Sequence, residues 1–360
     1  MKTTELQGSW LDRADVIRPL ASLGARTLGT PRKLVTPAGR VLRSTPVFDT
    51  YWRFAAARQG IFMRRMEGAD PPWTTDSILA AYRFTNPYRA SDRTTQYLIR
   101  HVLYEGSQTP EEVFFRAFLF RMFNKIETWE ELASQIGDLT WDRFNPRFYQ
   151  RILDRRILSG KRLYSGAYII PSPPLGSRRK HLNQLRLLQM MMRDDISERI
   201  RSAKSLSEVF RILRSYPSMG DFLSFQFTID LNYSEMLNFS ESDFVVAGPG
   251  ARDGIRKCFA DLGGAGLEEV IETVTRMADE EFARLGLTFD TLWGRRLQLV
   301  DHQNLFCEID KYARLAHPTQ TGGSLRRRLK RKYRPNPAPL PQWYPPKWKL
   351  RVPQRQSAWL

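Results

Sequence analysis

The chain has 360 residues, 42% of them hydrophobic, and a formal net charge of +18, length enough for two domains or one large one with a substantial core. Its two cysteines, Cys258 and Cys307, form no C-x-x-C and no Cys/His cluster at metal spacing, which argues against a disulfide scaffold or a metal-built fold and makes a reducing interior the default. The charge sits at the ends, with 8 Lys/Arg against 3 acids in residues 1–45, 11 against none in 319–360, and a net of +2 between. A nearly neutral body with basic extensions is the pattern of a protein that meets a polyanion, most often nucleic acid.

In chain order, residues 1–45 are rich in Arg, Pro and Gly with weak periodicity and are expected to form a partly ordered basic arm. The start lacks an apolar leader and no stretch reaches the ~18 apolar residues that span a bilayer, so a cytoplasmic protein with no membrane partner is expected. The body opens at Pro46: V-F-D-T-Y-W-R-F-A-A-A-R-Q-G-I-F places apolar residues three and four apart, which predicts a helix over 47–62. A Pro-Pro break follows, then Thr74 or Thr75 as N-cap of a helix starting near Asp76.

Residues 84–98, F-T-N-P-Y-R-A-S-D-R-T-T-Q-Y-L, are unusually polar between two apolar helices. A helix starting after Pro87 would set Asn86, Arg89, Asp92, Arg93 and Gln96 at spacings of three and four, either as a solvated face with local ion pairs or as a polar active-site wall. Residues 111–135 predict a very apolar helix with Arg116, Arg121 and Asn124 embedded, ending near Lys125 where Thr128 caps the next one. A buried Arg121 requires an acidic partner or an anionic ligand. Helices are also predicted over 145–160 and 178–215; between them K-R-L-Y-S-G-A-Y-I-I-P-S-P-P is the one candidate strand or hairpin.

The stretch from Tyr216 to Lys257 holds two glycine turns, at Gly220 and at Gly248-Pro249-Gly250, each poised to open a helix and present backbone N–H groups to a phosphate. Arg252 and Lys257 follow the second turn, and Asp243 lies between the two. After an amphipathic helix from Gly266, the body closes on F-D-T-L-W-G-R-R-L-Q-L-V-D-H-Q-N-L-F-C-E-I-D-K-Y, where Asp301, Gln303, Asn304, Glu308 and Lys311 interrupt apolar positions. One continuous helix would bring Asp301 and Glu308 to the same face, an arrangement suited either to acid–base work or to a buried structural network. The tail carries Arg326, Arg327, Arg328, Lys330, Arg331 and Lys332, then a Pro-rich run with Trp343, Tyr344 and Trp348. Basic charge interleaved with aromatics suits phosphate contacts and base stacking, although a packed-down extension also fits.

No P-loop, G-x-S-x-G elbow, H-E-x-x-H or deaminase signature is present, and the four histidines are scattered; His302 alone sits among polar candidates, as a hydrogen-bonded neighbour rather than a metal ligand. No cofactor and no metal is expected.

Two resemblances bear on these residues. Y-P-S-M-G-D-F-L-S-F-Q resembles the helix-hairpin-helix of DNA glycosylases, with Asp243 at about the distance of their catalytic Asp and Phe222 where the lyase lysine would stand. More specifically, F-T-N-P-Y-R-A-S-D-R-T-T-Q-Y-L, F-R-M-F-N-K-I-E-T-W, D-F-V-V-A-G-P-G-A-R-D-G-I-R-K and F-C-E-I-D-K-Y together resemble the alpha-glutamyl/putrescinyl thymine pyrophosphorylase family, also described as amino acid:DNA transferases. That helical domain also occurs fused to phage 5-hydroxymethyluracil DNA kinases.

The resemblance covers about residues 46–318 and implies an all-α, mainly helical, helix-hairpin-helix glycosylase-like fold between the basic arm (1–45) and the tail (319–360). It implies a monomeric phage-type enzyme that moves an amino acid such as glycine onto the 5-methylene of (pyro)phosphorylated 5-hydroxymethyl-deoxyuridine in double-stranded DNA. The missing P-loop favours transferase over kinase; a glycosylase or an inactive DNA-binding protein of the same fold are the alternatives. Under this reading Asp301, Glu308, Asp243 or Asp92 takes the proton of the amine. Arg89, Arg93 and Arg121, with Asn124 and Lys311, hold pyrophosphate or carboxylate. Asn86, Tyr88, Gln96 and Gln303 line a flipped-base pocket, and Gly220, Gly248, Gly250, Arg252, Lys257 and the run Arg326–Lys332 grip the DNA.

Overall fold

The fold comes from a computed structural model and describes residues 31–166, 170–334 and 341–353. Strands β1 (Lys33–Val35) and β2 (Val41–Ser44) precede α1 (Pro46–Glu67) and α2 (Ser77–Ala81). A 3-10 turn at Arg89–Ser91 leads into α3 (Arg93–Tyr97), which runs on as a π-helical stretch, Leu98–Leu103. Then come α4 (Pro110–Phe123), α5 (Ile126–Ile136), α6 (Pro146–Leu158), α7 (Lys180–Arg193), α8 (Ile196–Arg201), α9 (Leu206–Arg214) and α10 (Asp221–Asn232). The chain continues through α11 (Pro249–Cys258), β3 (Phe259–Asp261), α12 (Leu267–Arg276), α13 (Ala278–Arg284) and α14 (Leu299–Ala316), and a 3-10 turn at Pro346–Trp348. The protein is mainly helical, as its periodicity predicts.

Several boundaries differ from expectation for local reasons. The cap of α2 is Asp76, whose Oδ1 accepts from the Ile78 and Leu79 amides at 2.8 and 2.9 Å, not Thr74 or Thr75. The helix expected after Pro87 starts only at Arg93, because the chain first makes the Arg89–Ser91 turn. Helix α4 stops at Asn124, which adopts the left-handed region at φ 48°, a conformation Asn tolerates better than most residues. Thr128 is therefore inside α5, and its hydroxyl donates to the Leu163 carbonyl at 2.8 Å instead of capping. The candidate strand at 161–174 is irregular in its described part; three prolines without N–H groups make a poor ladder. Sheet structure lies instead at the end of the expected N-terminal arm, where Leu34 and Leu42 point inward and Val35 and Val41 outward. Residues 1–30 of that arm lie outside the described residues.

The chain divides into two compact units. The first comprises residues up to Asn86, Gly250–Asp290 and Leu305–Pro335. Its antiparallel sheet has the order β1-β2-β3, with Leu34 opposite Leu42 and Ser44 opposite Phe259. Thr45 caps α1, and Pro46 occupies the first turn, where a missing N–H costs nothing. The inward face of α1 builds an aromatic core: Phe48 against Phe259 (5.1 Å between centroids), Tyr51 against Phe306 (4.7 Å) and Trp52 against Phe282 (5.1 Å). Gly250 and Gly254, one turn apart on α11, face α14; a Cβ on Gly254 would lie 1.9 Å from the Phe306 carbonyl oxygen and one on Gly250 2.4 Å from Cys307 Sγ. Glycine is needed there for backbone approach.

The second unit comprises Pro87–Pro249, Thr291–Asn304 and Asn336–Leu360. Helices α4 and α10 are buried nearly all round and form its centre, with Phe118 against Phe227 at 4.7 Å. Helices α9 and α10 pack together across the Ser215–Gly220 turn, and Gly220 is the N-cap of α10. A helix that is apolar on every side can hold polar groups only if they bond one another. On α10 those groups are Ser224, Gln226, Thr228, Asp230 and Asn232, all buried.

Candidate functional site

Gln226 and Asp230 lie one turn apart on α10 and meet two arginines from other elements. Arg89 Nε donates to Gln226 Oε1 (2.9 Å) and Arg89 Nη2 to Asp230 Oδ1 (2.8 Å). Arg121, from α4, donates through Nε to Asp230 Oδ2 (2.7 Å) and through Nη2 to Asp230 Oδ1 (2.8 Å), a two-pronged pair. All three charged groups are buried. Burial alone would push the Asp230 carboxyl up, but the two guanidiniums outweigh it and hold its pKa below the ordinary value. The cluster carries two positive charges and one negative, and the Tyr233 ring lies 5.6 Å from the Arg89 guanidinium. Arg121 Nη1 also donates to Asn124 Oδ1 (2.6 Å), and Asn124 Nδ2 reaches Ser165 Oγ (3.1 Å).

Arg89 connects this cluster to a second one. Its backbone N–H donates to Asp301 Oδ1 (2.8 Å), while Asp301 Oδ2 accepts from the Gln298 amide (3.0 Å) at the start of α14. Burial drives the Asp301 carboxyl up to about 7; its two amide donors oppose the rise, and the neighbouring Glu241 charge adds to it. Glu241 is likewise raised by burial, and it is met by Arg295 Nη2 at 2.8 Å. Arg295 stacks on Trp348, 3.7 Å from the ring centroid. The turn that presents Arg295 has Trp293 and Gly294 at positive φ and is plugged by Tyr88, whose hydroxyl donates to the Arg295 carbonyl (2.6 Å) and accepts from the Leu292 amide (3.2 Å).

The aromatic tail segment packs into this unit. Gln96 Oε1 accepts from the Trp343 amide (2.6 Å), Ser91 Oγ and Tyr344 Oη are 2.8 Å apart, and Lys347 Nζ donates to the carbonyls of Asn232 (2.6 Å), Ser234 (2.7 Å) and Leu237 at the end of α10. Of the two outcomes open to Trp343, Tyr344 and Trp348, base stacking or a packed-down extension, the structure shows the second. Buried hydrogen-bonding groups along an apparently unpatterned tail decide the outcome.

The other predicted residues fall as follows. In the second unit Gln303 is buried, Asp92 is half-buried, and Arg93, Asp243 and Gly220 are exposed. Gly248 is no open cradle: a Cβ there would meet the Phe222 ring at 2.6 Å. In the first unit Asn86 is buried, and Glu308, also buried, accepts from the Thr85 amide (3.2 Å) and pairs with Lys311. Arg252 and the run Arg326, Arg327, Arg328, Lys330, Arg331 and Lys332 are exposed. Lys257 is a correction: it is 2% exposed and its ammonium is taken by Asp310 at 2.8 Å, so it is a structural ion pair and not a DNA contact. Gly250 is likewise explained by its approach to Cys307. Arg121 finds its acidic partner inside the fold. Asp301 and Glu308 do lie on one helix, α14, but belong to different units, and each has its own neighbours.

Asp230, Gln226, Glu241 and Arg295 were missed by sequence reasoning. The legible signal for the first two was a Gln/Asp pair at i,i+4 in an otherwise apolar helix; Glu241 and Arg295 left none, being in irregular segments. Burial takes His302 down to about 3, which keeps it neutral. Among the described residues no group of His, Cys, Asp or Glu stands at metal-holding geometry, and no helix is long and apolar enough to cross a membrane.

The family described as "5-hmdU DNA kinase, helical domain" matches residues 45–322. The chain is also similar to the 5-hmdU DNA kinase of Bacillus phage SP10, with 27% identity over 311 residues that cover 78% of this chain and 48% of that protein. The chain thus spans about half the length of the curated relative it matches. No solved structure matches it.

Proposed function

From its membership of the 5-hmdU DNA kinase helical-domain family, to which this chain belongs, we propose that the protein is a phage-type DNA hypermodification enzyme working on 5-hydroxymethyl-deoxyuridine in double-stranded DNA, in the cytoplasm of the host. Its finer activity in this reading is amino acid transfer. The amine nitrogen of a free amino acid attacks the 5-methylene of a (pyro)phosphorylated base. A C–N bond forms, the C–O bond breaks, and (pyro)phosphate leaves with the bonding pair.

The observation that carries this reading is Asp301. An amine nucleophile must lose a proton, and a buried carboxyl with its pKa near 7, fixed by two amide donors, is suited to accept one at neutral pH. The Arg89–Arg121–Asp230 cluster, with one positive charge in excess, lies in the same unit and suits the departing anion or the carboxylate of the amino acid. Extrusion of the base, at a cost of a few kcal/mol, gives the methylene access to the protein.

The test is to incubate the chain with duplex DNA carrying the pyrophosphorylated base and a panel of amino acids, digest to nucleosides and weigh the products. An aminoacylated nucleoside is expected; none with any amino acid overturns transfer. The similarity to a phage kinase supports a second reading, phosphorylation of the base, tested by offering ATP and duplex with unphosphorylated 5-hydroxymethyl-deoxyuridine. Alkali-labile abasic sites in either reaction would instead mark a glycosylase.

A further inference from the structure

The near-neutrality of the body is a cancellation. Residues 46–318 sum to +2, yet residues 143–193 alone hold 12 Lys/Arg against one acid, Asp154. The basic stretch belongs entirely to the second unit, the unit of Arg89, Asp230 and Asp301. Ten of the twelve cations are arginines, whose planar fork matches phosphate oxygens.

Helix α6 orders them. Tyr149, Ile152, Leu153 and Arg156 are its buried side, and Arg156 is consumed internally by Glu131. Arg147, Arg151 and Arg155 repeat every four residues and are exposed, which makes a row about 12 Å long at the helical rise. Lys161, Arg162 and Arg178, also exposed, follow in the connection to α7. Asp154, the acid of the stretch, is paired with the Arg179 guanidinium at 2.5 Å and hydrogen-bonded with His181 at 2.9 Å, so it does not offset the row.

The connection after α6 is anchored to the buried cluster. The Ser165 amide donates to the Phe123 carbonyl (3.1 Å), and Ser165 Oγ accepts from Asn124, whose Oδ1 takes a hydrogen bond from Arg121. Arg121 in turn holds Asp230 and, through it, Arg89. A phosphate-bearing strand laid along α6 would therefore press on a segment hydrogen-bonded to the candidate site.

We propose that the exposed arginine row of α6, continued by Lys161, Arg162 and Arg178, is the face on which this unit grips the phosphate backbone of duplex DNA. The proposal deepens the reading of the protein as a DNA-modifying enzyme and rests on it for the choice of polyanion. Duplex DNA presents one negative charge per ~1.7 Å of axis, so a row of cations at single-turn intervals meets several phosphates at once.

The experiment uses the full chain and an ordinary fluorescent duplex with no modified base and no amino acid, titrated by anisotropy at several salt concentrations. Binding weakens linearly in log–log form, with a slope of about −0.9 per phosphate contact. The triple variant Arg147→Gln/Arg151→Gln/Arg155→Gln is expected to flatten that slope by about 2 to 3, with the melting temperature unchanged. The corresponding Arg→Lys triple keeps most of the slope. A Gln triple that folds and shows the parental slope overturns the interface, as does a slope removed by Arg326→Gln/Arg327→Gln/Arg328→Gln and not by the α6 variant. Because unmodified DNA is the probe, failure of base modification leaves this result standing, and failure of the slope change does not touch the modification assay.

Discussion

Replacing Asp230 by asparagine (Asp230→Asn) keeps the side-chain shape and removes the one charge that two buried guanidiniums share. Arg121 approaches it at 2.7 and 2.8 Å and Arg89 at 2.8 Å, and all three are almost wholly excluded from water. Breaking a buried ion pair by removing one partner costs about 3–5 kcal/mol, because the remaining charge stays desolvated. A unit of this size shifts by roughly 2–4 °C per kcal/mol, so the variant should melt about 6–20 °C lower. The sign with pH follows from the depressed carboxyl. Its stabilisation is fully present above the unfolded value near 4 and is lost as pH falls through the folded pKa, so Asp230→Asn should flatten the acid limb of the stability curve. Calorimetry between pH 2 and 7 measures both quantities. A loss below about 1 kcal/mol with an unchanged acid limb would refute the assignment of Asp230 as the charge that holds this cluster together.

Three other outcomes follow from single features. Asp301, raised to about 7 from an ordinary 3.8, keeps a proton in the folded state that the unfolded chain has released. Stability should therefore fall by about 4 kcal/mol as pH rises from ~4 to ~7, and Asp301→Asn should remove that slope in melts and the rise of transfer rate with pH near 7. Gly254→Ala puts a Cβ onto the Phe306 carbonyl, where backbone has to give way; a loss of about 3 kcal/mol or complete unfolding is expected in denaturant titration, and wild-type stability would mean that α11 and α14 are not so close. Lys347→Met deletes the donor to three carbonyls at the end of α10; a drop of about 1.5–3 kcal/mol is expected, with amide exchange faster at the α10 C-terminus, and unaltered exchange there would contradict the contact.

The helical body was readable because long apolar stripes dominate: α1 and α6 lie within a few residues of where periodicity sets them. Short elements were not, since a Thr-Thr-Asp run offers three possible caps and only burial against Tyr312, which donates to Asp76 at 2.6 Å, selects the third. Among site residues, Arg89, Arg121, Asn124 and Asp301 were visible as polar groups at apolar positions. What they bond was not, because partners such as Asp230 and Glu241 come from segments 109 and 54 residues away from Arg121 and Arg295. The glycines of G-P-G-A-R-D-G illustrate the opposite error: a turn-like string that suggests a phosphate cradle is largely spent on helix contact.

The tail contacts also impose a timetable on synthesis. Ser91 and Tyr344 are 253 residues apart in sequence, and at roughly 5–20 residues per second the ribosome needs on the order of 10–50 s to make the second after the first. During that interval α10 has no Lys347 at its end and Gln96 no Trp343 amide. The partners of Arg89 and Arg121, namely Gln226, Asp230 and Asn124, are all made before the tail, so the charge cluster can close first and the tail is the last piece laid onto it.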